Sequence, residues 1–255
     1  MRRSITSQAV LLVAVVLTLA SISMLAGCAT VEPALPPTSM QTVEYYPYQV
    51  KGYQNSYPHR SILVLMPTEA RDMGDAGSDA APLNGNPAVG VTVDKDGATT
   101  QRLYSAPLGT ILRGAIMRSA DEAGMSAFAS DDSAYKPGVT NTNQYVLESK
   151  ITRCWVKKSR GADGPYGPVY RTMAEFRIEV AIYKPPFSAP FWNGSTNETY
   201  YDPPVGSFAL GPDDEAGIYD EPGQVLSVAM TRSVAQIFEH PDLRNLMLED
   251  EIKAP

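Results

Sequence analysis

Side chains able to do covalent, acid–base or metal chemistry are scarce in this 255-residue sequence: two cysteines, Cys28 and Cys154, and two histidines, His59 and His240. A nucleophile needs a base within hydrogen-bond reach. His59 sits in a stretch rich in Pro and Tyr, and His240 stands beside the helix-breaking Pro241. Neither accompanies a Gly-x-Ser-x-Gly elbow or a cysteine partner, and two distant histidines make no zinc pattern. Phosphate-loop and dinucleotide fingerprints are missing too. The carboxylate groups Asp131-Asp132, Asp213-Asp214-Glu215 and Asp220-Glu221 all fall in loop-like segments, where solvated charge is the default explanation. Asp94-x-Asp96-Gly97 matches part of a calcium loop, but Leu103 stands where the closing Glu belongs, so a turn is expected. The chain is therefore read as having no catalytic residue, no cofactor and no metal.

Composition narrows the partners. The chain is 44% hydrophobic and 19% charged, which suits a globular fold. Its net charge of -7 argues against nucleic acid as a partner. The one basic cluster, Lys150, Arg153, Lys157, Lys158 and Arg160, spreads over alternating strand faces, which leaves an anionic lipid or glycan site only suggested.

The N-terminus carries the strongest signal. Arg2 and Arg3 precede an apolar run from Ala9 to Ala20 that ends in small residues, the layout of a secretory leader. It closes on Leu25-Ala26-Gly27-Cys28, which resembles a bacterial lipobox. Small residues before the cysteine let a peptidase reach the Gly27–Cys28 bond, and only the Cys28 thiol could carry a thioether lipid. Residues 1–27 are thus read as a signal peptide and Cys28 as the lipidated first residue, anchoring the protein by two or three acyl chains. Ala29 stands where an Asp would retain a lipoprotein at the inner membrane, so the periplasmic face of the outer membrane is favoured. Lipid consumes Cys28, which leaves Cys154 as a lone, buried small hydrophobe.

Residues 28–60 read as a Pro- and Tyr-rich tether. Tyr45, Tyr46, Tyr48 and Tyr53, with Tyr166 at a later loop tip, are the candidate partner-binding residues, because tyrosine is enriched at interfaces. Tyr57 belongs to the same run, whose second half is expected to lie along the domain. The domain spans 61–245, followed by a tail over 246–255. It opens with a buried strand, Ser61-Ile-Leu-Val-Leu-Met66, and a long loop over 68–104 that holds a small hairpin, 89–93 with 98–104. A helix follows from Ser105 as N-cap to Gly124, with Leu108, Leu112, Ala115 and Ile116 on its stripe. After a short strand at 126–129, two long strands alternate over 144–158 and 170–183. In the first, Tyr145, Leu147, Ile151 and Trp155 share a side; in the second, Ala174, Phe176, Ile178, Val180 and Ile182 do. A third strand spans 191–201, and a helix 222–239 closes the domain, with a short helical tail.

These elements predict an α+β two-layer sandwich: a four- or five-stranded, mostly antiparallel sheet with two helices on one face. The lipobox, the Ser-Ile-Leu-Val-Leu-Met-Pro strand, the alternating segment from Gln144 and the closing helix together resemble the ABC-type transport auxiliary lipoproteins and domains similar to the TolB N-terminal domain. That resemblance covers roughly residues 60–240 and implies a non-enzymatic adaptor or accessory subunit that binds an envelope protein. The alternative is a lipid or small-molecule carrier, which would need an unfilled apolar pocket near Leu112, Phe176 and Ile178.

Overall fold

The computed structural model describes residues 37–44, 57, 60–71, 81–130, 144–164, 167–185, 187–202 and 221–253. All belong to the compact unit Pro36–Pro255; the other unit, Met1–Leu35, lies outside the described residues. In chain order the elements are β1 (Thr38–Gln41), β2 (Ser61–Leu65), β3 (Thr68–Glu69), β4 (Ala88–Val93), β5 (Thr99–Ser105), α1 (Leu108–Glu122), β6 (Ser126–Ser130), β7 (Gln144–Gly164), β8 (Gly167–Tyr183), β9 (Trp192–Asp202), α2 (Pro222–Glu239) and α3 (Pro241–Lys253).

The 21-residue β7 is the spine. Along one edge it pairs antiparallel with β8, which pairs antiparallel with β9. Along the other edge it takes three short parallel partners in turn: β2 at Gln144–Leu147, β3 at Lys150–Ile151 and β4 at Val156–Ser159. The sheet therefore forks. One arm continues from β2 to β6, the other from β4 through β5 to β1. At the fork, the buried Arg71 guanidinium donates to the carbonyls of Ala88 (2.7 Å) and Cys154 (3.5 Å) and pairs with Glu69. Gly90 is needed where the β4 arm meets the spine, because a Cβ there would sit 2.0 Å from the Val156 carbonyl oxygen.

This corrects the expected four- or five-stranded, mostly antiparallel sheet with two helices. Among the described residues the sheet is mixed and has nine strands, with three helices. The additional strands come from segments read as tether and loop: β1 from the tether, and β3, β4 and β5 from 68–104, although the β4–β5 hairpin was expected there. Strands of two to seven residues leave little alternation to read, and parallel pairing between distant segments has no local signature.

Both α1 and α2 lie on one face of the sheet. The expected stripe of α1 is buried at Leu108, Leu112, Ala115 and Ile116, though the helix starts after Pro107 without a side-chain cap from Ser105. Gly124 ends it with φ near +90°, the left-handed turn that favours glycine. α2 is buried nearly all round: it packs on the sheet and against α1 and α3, and the segment after β1 runs along its first turns, where Gln41 Oε1 accepts from the Gly223 N–H at 3.2 Å and the Glu44 N–H donates to Ser227 Oγ at 2.9 Å. Tyr57 is core rather than tether surface, with its hydroxyl donating to the Phe238 carbonyl at 2.7 Å. A bulge between Ile151 and Arg153 flips the parity of β7. It turns Cys154 and Val156 to the helix side and Trp155 away, which corrects the expected shared side of Ile151 and Trp155.

Candidate functional site: the uncovered face and edges of the sheet

Helices cover one face only, and the other face of β7–β9 presents the polar half of the alternation. Glu148, Lys150 and Arg153 on β7 lie across from Ala181, Glu179 and Arg177 on β8, and Asn193, Ser195 and Asn197 continue the rows on β9. Two ion pairs run across the strands. Lys150 Nζ donates to Glu179 at 3.2 Å, and Arg153 Nε donates to Glu175 at 2.8 Å. The Tyr183 phenol donates to Glu148; burial first, then that carboxylate, raises its pKa above the usual value.

A trough of about 720 Å³ opens on this face. Its floor is strand backbone at Ser149, Val180 and Gly194 with the short Ala181. Glu148, Lys150, Glu179, Asn193 and Ser195 rim it, and Leu65, Met66 and Thr68 from the β2–β3 corner wall it. No helix residue contributes to the lining. Gly194 stays small for a reason on the opposite face, where the Trp192 indole lies 2.6 Å from the position a Cβ would take. The rim offers paired charges, amides and hydroxyls, which suits hydrogen bonding to a polar chain.

The sheet also has open edges. Among the described residues, β1, β6, β9 and the two-residue β3 each have a strand on one side only. β9 is the longest at 11 residues, and Tyr201 on it is 64% exposed. β6 carries Phe128, 51% exposed.

Of the sequence-predicted site residues, Gly27, Cys28, Tyr45, Tyr46, Tyr48, Tyr53 and Tyr166 lie outside the described residues, as do His59 and the acid pairs at 131–132 and 213–215. His240 packs against Trp192 at a tilt, with ring centroids 5.4 Å apart. Cys154 is fully buried; burial pushes its thiol up to about 12, against a smaller opposing pull from Arg71. Asp94 Oδ1 accepts from the N–H groups of Asp96 (2.9 Å) and Ala98 (2.8 Å), so this carboxylate closes the expected turn. Leu112, Phe176 and Ile178 have no accessible surface at all. The trough residues went unnoticed in the sequence because Glu148, Lys150 and Glu179 are ordinary wet-face residues until β2 and β9 flank them. Among the described residues no group of three or more His, Cys, Asp or Glu could hold a metal ion, and no helix is long and apolar enough to cross a membrane.

No family model matches the chain, and no curated protein does. Similar solved structures include protein XCC0632 from Xanthomonas campestris, with TM-score 0.44 and 13% identity over 85% of this chain and 99% of that one. PelC from Paraburkholderia phytofirmans, solved as a dodecamer, has TM-score 0.33 and 9% identity over 69% and 87%. Lipoprotein GNA1162 from Neisseria meningitidis has TM-score 0.24 and 17% identity over 71% and 99%.

Proposed function

We propose that this chain is a cell-envelope lipoprotein, anchored through Cys28 on the periplasmic face of the outer membrane, that serves as a non-enzymatic adaptor or accessory subunit. The leader and Leu25-Ala26-Gly27-Cys28 support the anchor. The likeness to ABC-type transport auxiliary lipoproteins directs the accessory role toward a transport or assembly system. The observation that carries the adaptor reading is β9, an 11-residue strand with no partner on its outer side among the described residues. An edge of that length offers a row of backbone donors and acceptors that a partner's extended segment can satisfy. No lysine or proline in Trp192–Asp202 blocks such pairing. The trough beside it, rimmed by Asn193 and Ser195, would take the partner's side chains. Tyr45, Tyr46, Tyr48, Tyr53 and Tyr166 remain candidate contacts.

The test is crosslinking and affinity capture from intact envelopes. A specific protein should be captured by the wild type, lost with Cys28→Ala and lost again with Asn197→Lys/Thr199→Lys, which puts lysines on the edge strand without touching the core. Capture that survives the two lysines rejects β9 as the docking edge. Replacing the four tether tyrosines by serine should weaken capture without unfolding the domain. The carrier alternative needs space between helices and sheet, but Leu112, Phe176 and Ile178 leave no water-sized gap there.

A further inference from the structure

The edge strand β9 carries its charges on one face only. Asn193, Ser195, Asn197, Thr199 and Tyr201 lie on the open face; all are exposed and none is charged. Glu198 and Asp202 are the only charged residues of the strand, and both lie on the helix side. Glu198 is held there by Gln236 Nε2 at 2.9 Å and by Arg232 at 3.6 Å, so α2 already balances its carboxylate.

An uncharged row of this kind can pair with itself. The 11 residues Trp192–Asp202 have Asn197 at their midpoint. Laid antiparallel on a second copy and centred there, every residue finds a partner. Asn197 meets Asn197, Ser195 meets Thr199, Asn193 meets Tyr201, Thr196 meets Glu198 and Trp192 meets Asp202. No like charges stand opposite each other. Centring on Glu198 instead would set that carboxylate against its own copy, which destabilises a cross-strand pair. Centring on Thr196 would leave Tyr201 and Asp202 unpaired. The Asn197 register also keeps the helix side of both copies on one side, so the dry wall and the wet wall each continue across the seam.

The same register bears on the trough. Leu65, Met66 and Thr68 wall it on one side, and beyond Asn193 and Ser195 no described residue lines it. Pairing sets Tyr201 of the second copy beside Asn193, and Thr199 of the second copy beside Ser195. Tyr201 is 64% exposed in a single copy and is covered in the pair.

We propose that two copies of this chain join through β9, antiparallel and centred on Asn197, and that Tyr201 of each copy completes the trough of the other. This rests on β9 being a docking edge, as proposed above, and names its occupant; an envelope partner then meets the doubled sheet. The contact is isologous and closes on itself, so it stops at two copies. It also removes the longest free edge.

Disulfide trapping of the full chain in membranes reads the register. The two-fold axis sets position 197 opposite itself, with Cα atoms about 4.5–5.5 Å apart, within disulfide reach. Positions 195 and 199 each lie four residues along the strand from their own copies, at least about 13 Å away. Asn197→Cys should therefore give a covalent dimer in several-fold higher yield than Ser195→Cys or Thr199→Cys, above the baseline of the wild type with its Cys28 and buried Cys154. Equal yields, or no dimer above that baseline, overturn the pairing. Asn193→Cys/Tyr201→Cys, with its cysteines about 26 Å apart within one chain, should join two chains; failure to do so removes Tyr201 from the trough. By sedimentation in detergent the wild type should have the mass of two chains, and Asn197→Lys/Thr199→Lys, at exposed positions, that of one. A monomeric wild type or a dimeric lysine variant overturns the proposal. Envelope capture by a monomeric chain rejects self-pairing alone and leaves the adaptor reading standing. A trapped dimer that captures no envelope protein supports self-pairing and removes the adaptor.

Discussion

On one face of β7 and β8, Leu147, Ile151, Phe176, Ile178 and Ile182 lie wholly buried beneath α1 and α2. On the other, one residue along, the Lys150 and Glu179 side chains are 46% and 55% exposed while paired with each other. The same two strands build a dry wall and a wet wall, and the period of two keeps them apart. The two walls do different work. The covered wall supplies stability through area removed from water. The open wall contributes little to stability and is therefore available for contacts. The bulge at Ile151/Arg153 shows how narrow the separation is, since one extra residue exchanges the faces of everything beyond it.

The sharpest way to break this contrast is Phe176→Ala on the covered wall. It should destabilise the domain by about 3–5 kcal/mol, because transfer energy and a cavity both count against it, as read by denaturant unfolding. Tyr57→Phe comes next. Losing its hydroxyl leaves the Phe238 carbonyl without that donor and should cost about 1 kcal/mol. Burial first, against a smaller pull from Arg244, holds the Tyr57 hydroxyl up at about 12. The stability linked to its neutral form is fully present below the unfolded value of 10.0 and is lost as pH rises through about 12. The Phe variant should therefore be flatter over that alkaline window.

A smaller effect is expected at the rim where the two walls meet. Burial pushes the Asp250 carboxyl up, but hydrogen bonds from Lys184 and Tyr145 outweigh it and hold the pKa below its ordinary 3.8. The Tyr145 hydroxyl donates to Asp250 at 2.6 Å. With a lowered folded value, the stabilisation is present above 3.8 and disappears as pH falls through the folded pKa. Acid titration of wild type against Asp250→Asn should show the wild type losing more stability over this range, with α3 loosening first by hydrogen exchange. An equal loss in both would remove Asp250 as the clamp on α3. The smallest effect belongs to the open wall. A double-mutant cycle on Lys150→Ala and Glu179→Ala should return a coupling of about 0.5 kcal/mol or less. A much larger coupling would mean the open wall is structural after all.

Much of this fold was legible from residue order. The long alternations of β7 and β8, the hairpin at 89–104 and the stripe of α1 each repeat within a few residues, so local chemistry declares them. β1 was not legible: Thr38-Ser-Met-Gln41 carries no pattern and is a strand only because the β5 edge accepts it. Tyr57 looked like one of a run of tether tyrosines, and only the approach of Phe238, far along the chain, makes it core. The candidate surface divides the same way. Wet-face residues such as Lys150 and Glu179 could be assigned to a face from sequence. The trough needed β2 and β9 to flank them, and the length of the β9 edge needed knowledge of which strand lies outermost.

By itself, then, the sequence determined the alternation that divides dry wall from wet, the stripe of α1 and the hairpin of β4 and β5. Those are properties of neighbours in the chain, and neighbours are what a sequence displays. Tertiary structure alone decided the fork of the sheet, the bulge that turns Trp155 away from the helices, the strand left at the edge and the end at which the chain enters. These depend on how strands pair, and the energy of pairing comes from backbone groups that every residue shares, so no side-chain pattern announces them.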